Sequence, residues 1–322
     1  MILAIALLLG VAVVAGCAPA VLNRMLRRRV DPQLVLMTWG ALIATTFATV
    51  TAALTIAVLP AHGPAPLLVE LLHHCWTALQ HGSTPQLHLA AGLLLLTAIA
   101  GLSSRVSIGL LRHARHQRRA HRRQLELLHI AARRESGAFP IMWLPHPKPM
   151  AYSVAGTPGF VVATDGVRDQ LGADAAAVLE HERAHLRGRH HLLVGLAEAL
   201  SRSAPWLPLM RRSPELVRTA VELAADRSAA HLHGPGAVRS ALLRMSDVHG
   251  GGPVPADALG MAHSAVDLRL HHLNGLTAAP GKAKRALASG VVGLTAATLP
   301  TVAGIALVPV LAMASCPFVL GV

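Results

Sequence analysis

The sequence predicts a mostly α-helical integral membrane protein, in which four transmembrane helices carry a cytoplasmic α+β domain with a small β-sheet. Three observations predict it. The 322-residue chain is 53% hydrophobic with only 14% charged residues, where an ordinary soluble domain has about 25% charged residues. Its mean hydropathy is +0.49. Four apolar runs reach the roughly 17–25 residues that a membrane-spanning helix requires, and the basic residues gather beside those runs instead of forming one face.

The first expected span, residues 2–22, carries no charged side chain. Its VAGC stretch, Val14 to Cys17, resembles a lipoprotein processing site. No basic residue precedes the apolar run, however, and four arginines follow it, the reverse of a signal peptide, so the segment reads as a retained anchor with its N-terminus outside. The second span covers 33–59. The third, 87–104, stops at Arg105, and the fourth, 286–315, contains Pro300 and Pro309 as expected kinks. This divides the chain into a membrane domain over 1–111 with an external loop at 60–86, a cytoplasmic domain over 112–285, the fourth span, and a short external tail over 316–322.

A net charge of +13 in a soluble protein would suggest nucleic acid. Here the charge lies in Arg24 to Arg29, in Arg112 to Arg123 and in Lys282 to Arg285, beside the spans. The positive-inside rule places all three clusters in the cytoplasm, with both termini outside a multi-pass plasma or inner membrane protein. The 60–86 loop has one acidic residue, Glu70, and no Lys or Arg, in keeping with an external position. The expected partners are therefore the lipid bilayer and a protein substrate, without direct nucleic-acid binding. Cys17, Cys75 and Cys316 form no zinc knuckle or disulfide framework. Cys75 with His73 and His74 is either a small external metal site or an ordinary polar loop.

Within the cytoplasmic domain, Glu126 to Arg134 is expected to end a helix continuing from the third span. Phe139 to Leu144, Ala151 to Val154 and Phe160 to Ala163 read as short strands, the last two joined across Gly156 to Gly159. A helix is expected from Asp174 through Leu179 to His191, another from Pro214 to His231, and a last from Ala262 to Leu273, with Gly250 to Pro255 as a flexible loop. The edge of such a small sheet either binds an extended peptide as an added strand or simply packs.

The stretch LEHERAHLRGRHH, Leu179 to His191, carries the chemistry. Residues four apart on a helix share a face, so His181 and His185 can direct imidazole nitrogens at one metal ion. Glu182 then lies beside the metal, where a glutamate can take a proton from water whose acidity the metal has raised. This is the chemistry of metal-assisted peptide hydrolysis with one Zn2+. Two candidates compete for the third ligand. In one, Gly188 breaks the helix and His191 swings back to zinc above a methionine turn, with Met245 or Met261 as its methionine. In the other, Glu222 in VELAAD completes a two-His, one-Glu site, and Asp226, one helical turn on, orients a ligand imidazole. Glu222 and Asp226 on one face repel slightly, which a plain solvated helix face would also tolerate.

The run from Thr164 to Leu192, followed by Glu222 to Asp226, resembles the BlaR/MecR group of membrane zinc metallopeptidases, related to HtpX and the CAAX prenyl protease. The resemblance implies a gluzincin domain between the third and fourth spans. It also implies zinc on His181, His185 and Glu222, with Glu182 as general base and His191 uninvolved. The spacing of His263 and Arg269 is similar to that of the HtpX-type enzymes, implying a donor to the reaction oxyanion and a buried charge partner; a surface His and an ordinary helix Arg are the alternative. The chain ends at Val322, seven residues beyond Ser315, so the expectation is a signalling protease without an external penicillin-binding sensor domain, cleaving a cytoplasmic transcriptional repressor and free to form a homodimer. The alternatives are an HtpX-like protease of membrane-protein quality control and a zinc-binding pseudoprotease. Glu182 speaks against the last, because a purely structural site has no use for an adjacent base.

Overall fold

Two long apolar helices open the chain. The computed structural model describes residues 2–58, 132–156, 159–249 and 266–276, scattered helical positions between 94 and 119, and 298–299 and 302–309. Helix α1 covers Ile2–Arg27 and α2 covers Pro32–Val58, each long and apolar enough to cross a bilayer. The reversal between them places Arg29 in the left-handed region, φ 58. Asp31 then accepts the Gln33 N–H at 3.1 Å. With Pro32 as the first helical residue, this is a favourable helix start, because proline lacks an N–H that would go unsatisfied there.

Parts of the other two expected spans are described, and the fourth approaches α1. A Cβ at Gly304 would lie 2.8 Å from Leu7 Cα; beyond the third expected span, one at Gly109 would lie 3.3 Å from Ala199 Cβ. The 60–86 loop with His73, His74 and Cys75, the segment 250–265 and the basic cluster at 282–285 lie outside the described residues.

The sheet has four strands, β1 (Arg133–Glu135), β2 (Ile141–Leu144), β3 (Ala151–Val154) and β4 (Phe160–Thr164), in the order β1-β2-β4-β3. β2 and β4 run parallel in the centre, and β1 and β3 flank them antiparallel. β3 is therefore an edge strand. The expected helix end at Glu126 to Arg134 is corrected in part, since Arg133 and Arg134 pair with Trp143 and Met142 in β1. Long-range contacts account for the strand. Glu135 accepts hydrogen bonds from Trp143 Nε1 at 2.8 Å and Arg168 Nη2 at 2.7 Å, while the Arg168 guanidinium lies 3.7 Å over the Trp143 ring. Local helix propensity carries no trace of such partners.

From β4 the chain enters α3 (Asp165–Leu171), one 3-10 turn, and then α4 (Ala175–Arg187), which packs Ala175 and Val178 against Val161, Ala163 and Val167. Helices α5 (His190–Ser203), α6 (Pro208–His233) and α7 (Pro235–His249) follow, and residues 266–274 form a further helical segment. α6 begins six residues before the expected Pro214. Pro214 lacks the N–H that would bond the Met210 carbonyl, yet α6 continues through it; one residue earlier the Ser213 hydroxyl donates to the Leu209 carbonyl at 2.7 Å. α5 and α7 have no counterpart in the sequence expectations.

The largest core joins the two N-terminal helices to the rest of the chain. Leu22, Val35 and Trp39 pack in one cluster with Leu200, Leu209, Val217 and Ala220. At its centre the buried Trp39 indole donates to Ser213 Oγ at 2.8 Å. α6 is thus clamped along its first half by α1 and α2, while its second half faces α4.

Candidate metal centre

The site grows from two helix faces turned toward each other. On α4, His181 and His185 lie one turn apart, and on α6, Glu222 and Asp226 do the same, so packing α4 on α6 converges all four side chains. His181 Nε2 and His185 Nε2 are 3.1 Å apart, and each lies 3.4 Å from an oxygen of Glu222. Among the described residues, these three form the group whose donor atoms could share one metal ion.

Their spacing suits zinc. Three donors at about 2.1 Å from a tetrahedral ion sit about 3.4 Å from one another, close to the separations found here. The chemistry of the donors agrees. Two imidazole nitrogens presenting lone pairs at 3.1 Å to each other and to a carboxylate repel unless a cation or a proton lies among them.

The electrostatics describe the protonic version of that requirement. Burial pulls the His181 pKa down, but hydrogen bonds to Asp226 and Glu222 overcome it and raise it to about 9. Burial lowers His185 to about 4 despite the attraction of Glu222. Glu222 is opposed by burial yet drawn down to about 2 by His181, His185 and Arg269.

Asp226 stands behind His181. Its side chain is 3% exposed, and it accepts from His181 Nδ1 at 2.9 Å and from Arg269 at 2.6 and 2.7 Å. Arg269, on the segment 266–274, also reaches 3.5 Å from Glu222. A proton held on His181 Nδ1 by Asp226 leaves Nε2 free to ligate. His263 lies outside the described residues.

Glu182 is on the same turn as the two histidines, hydrogen-bonded by the hydroxyl and backbone N–H of Ser153 on β3; burial raises its pKa, with His181 pulling the other way. Edge strand β3 and helices α4, α5 and α6 enclose a cleft of about 610 Å³, bordered by Tyr152, Ser153, Glu182, His191 and Val221 as well as the three candidate ligands.

The helix bearing the histidines does stop near Gly188, in a way neither sequence alternative anticipated. Gly188 keeps an ordinary right-handed φ of −76 as the C-cap, and the left-handed residue is Arg189 at φ 48. The chain turns there into α5, placing His190 and not His191 against His185, with 2.9 Å between their Nδ1 atoms. His191 lies on the cleft wall.

Three contributors had no role in the sequence expectations. Ser153 is signalled only by its place on an edge strand. Glu180, buried and paired with Arg187, ties the end of α4 to Ser228 of α6 through the Arg187 guanidinium, which sits 3.2 Å from Ser228 Oγ. His190 follows His185 by five residues, a spacing that brings two side chains together only because the helix has ended between them.

The family model for peptidase family M48 matches residues 114–209, which include β1 to α5 and both histidines of α4. It stops short of Glu222. The match supports a metallopeptidase of family M48 in the broad sense. No curated protein and no solved structure matches the chain.

Proposed function

We propose that this chain is a membrane-integral zinc endopeptidase that cleaves a cytoplasmic protein, a transcriptional repressor in a signalling pathway being the substrate class the sequence resemblance favours. The observation that carries the reading is the convergence of His181, His185 and Glu222 beside a buried glutamate, Glu182, at the edge of a sheet. The M48 match supports the peptidase half of the proposal. Helices α1 and α2 support the membrane half.

The fit of the donors makes zinc the natural occupant. Bound there, it would polarise a scissile carbonyl and acidify water. The chain's own residues do the rest. Asp226 holds the His181 proton on Nδ1. An extended peptide adds along the side of β3 that no described strand covers, which brings its backbone past Ser153 and Glu182. Glu182, with its pKa raised by burial, takes a proton from the attacking water and returns it to the leaving amine.

The test uses the full chain in detergent, with bound zinc and peptide hydrolysis measured together. Glu182→Gln should keep its zinc and lose about 10²- to 10⁴-fold in rate. Glu222→Ala should lose zinc, and His191→Ala should keep it. Zinc retained in Glu222→Ala and lost in His191→Ala would overturn the ligand set; full activity in Glu182→Gln would overturn the mechanism.

A further inference from the structure

His190 is a buried imidazole that the mechanism above does not use. It is 8% exposed, its ring centroid lies 4.9 Å from that of His185 with the planes at 88°, and its Nδ1 is 2.9 Å from His185 Nδ1. The backbone is arranged to bring it there. Arg189 takes a left-handed conformation that reverses the chain at the end of α4. Gly188 leaves the ring its space, since a Cβ there would stand 2.3 Å from His190 Nε2.

We propose that His190 is a positioning residue, which accepts a hydrogen bond from His185 Nδ1–H and so fixes the tautomer and ring plane with which His185 offers Nε2 to the metal. The inference rests on the reading of His181, His185 and Glu222 as metal ligands. His185 can ligate through Nε2 only with its proton on Nδ1, and that N–H, in a largely buried site, needs an acceptor. His190 Nδ1 is the atom at hydrogen-bonding distance, so His190 carries its own proton on Nε2. His181 is served in the same way by Asp226.

The difference between the two orienting groups has a charge logic. Glu182, Glu222 and Asp226 already crowd the site with carboxylates, which Arg269 offsets in part. A neutral imidazole behind His185 supplies the acceptor without a further negative charge. His190 is not itself placed as a ligand, because its Nδ1 is directed at His185 Nδ1 and it is not among the donors that converge.

The experiment compares zinc affinity, by chelator competition, in the full-length detergent-solubilised protein and its His190→Asn, His190→Leu and Glu222→Ala variants. Asn places an amide oxygen near the position of the imidazole Nδ1, whereas Leu fills the space without an acceptor. His190→Asn should bind zinc within about threefold of wild type and His190→Leu about 10- to 100-fold more weakly. Histidine ¹⁵N spectra of the zinc-loaded protein should show His185 protonated at Nδ1 in wild type and in His190→Asn. Melting curves in excess chelator control for folding. Wild-type affinity in His190→Leu alongside a loss in Glu222→Ala would overturn the positioning role and leave the metal site standing. Equal weakening in Asn and Leu would show that an acceptor is not what His190 supplies, again overturning it. A wild-type chain that binds no zinc, or a Glu222→Ala variant that binds it unchanged, would overturn the metal site and this inference with it.

Discussion

Replacing Asp226 with Leu should separate stability from metal binding at this site. The carboxylate is 3% exposed and accepts two hydrogen bonds from Arg269 and one from His181. Its removal strands Arg269, only 21% exposed, without its main counter-charge, and breaking a buried pair on one side costs about 3–5 kcal/mol. The titration of Asp226 gives an independent scale. Burial opposes its ionisation, but Arg269 and His181 bring the pKa from 3.8 to about 2, which corresponds to about 2 kcal/mol at neutral pH. Because the folded pKa is the lower one, this contribution is complete above the unfolded value of 3.8 and disappears as pH falls through about 2. The assay is denaturant unfolding in excess chelator, which removes metal linkage, followed by zinc competition. Asp226→Leu should lose about 2–5 kcal/mol and about 10- to 100-fold in zinc affinity. Adding Arg269→Met should restore most of the stability, since an apolar pair of similar volume can replace a buried ion pair. It should restore none of the zinc affinity, because His181 Nδ1 still lacks its acceptor. A single variant that loses less than about 1 kcal/mol, or a double variant with wild-type zinc affinity, would refute the reasoning.

Gly188→Ala, harmless by helix propensity alone, should destabilise the chain by about 1–3 kcal/mol as an overpacked site, because the added methyl group meets the His190 ring; a neutral result in thermal melts would place that ring elsewhere. Trp39→Phe removes the indole donor to Ser213 and should cost about 1 kcal/mol, read by denaturant unfolding, with zinc content unchanged. A cytoplasm-specific reporter should be active when fused after Gly281 and silent in the loop near His81, and the opposite pattern would put the metal site outside.

The sequence alone determined what depends on neighbours a few residues apart. Helical periodicity sets His181 with His185 and Glu222 with Asp226 on common faces, apolar length defines α1 and α2, and the turn residues mark β3 and β4 as a hairpin. The strand at Arg133–Glu135 was not legible, because Trp143 and Arg168 hold its end from elsewhere. Nor could the choice between Glu222 and His191 be made from spacing, since both fit a zinc motif. The tertiary structure brings Glu222 to the histidines by packing α6 on α4, and turns the chain at Arg189 so that His190 meets His185 while His191 borders the cleft. It likewise brings Arg269 to Asp226 across 43 residues of chain. Local pattern specifies which face a side chain occupies. Which faces meet is decided by burial of apolar surface between whole elements and by the pairing of charges that burial would otherwise leave alone.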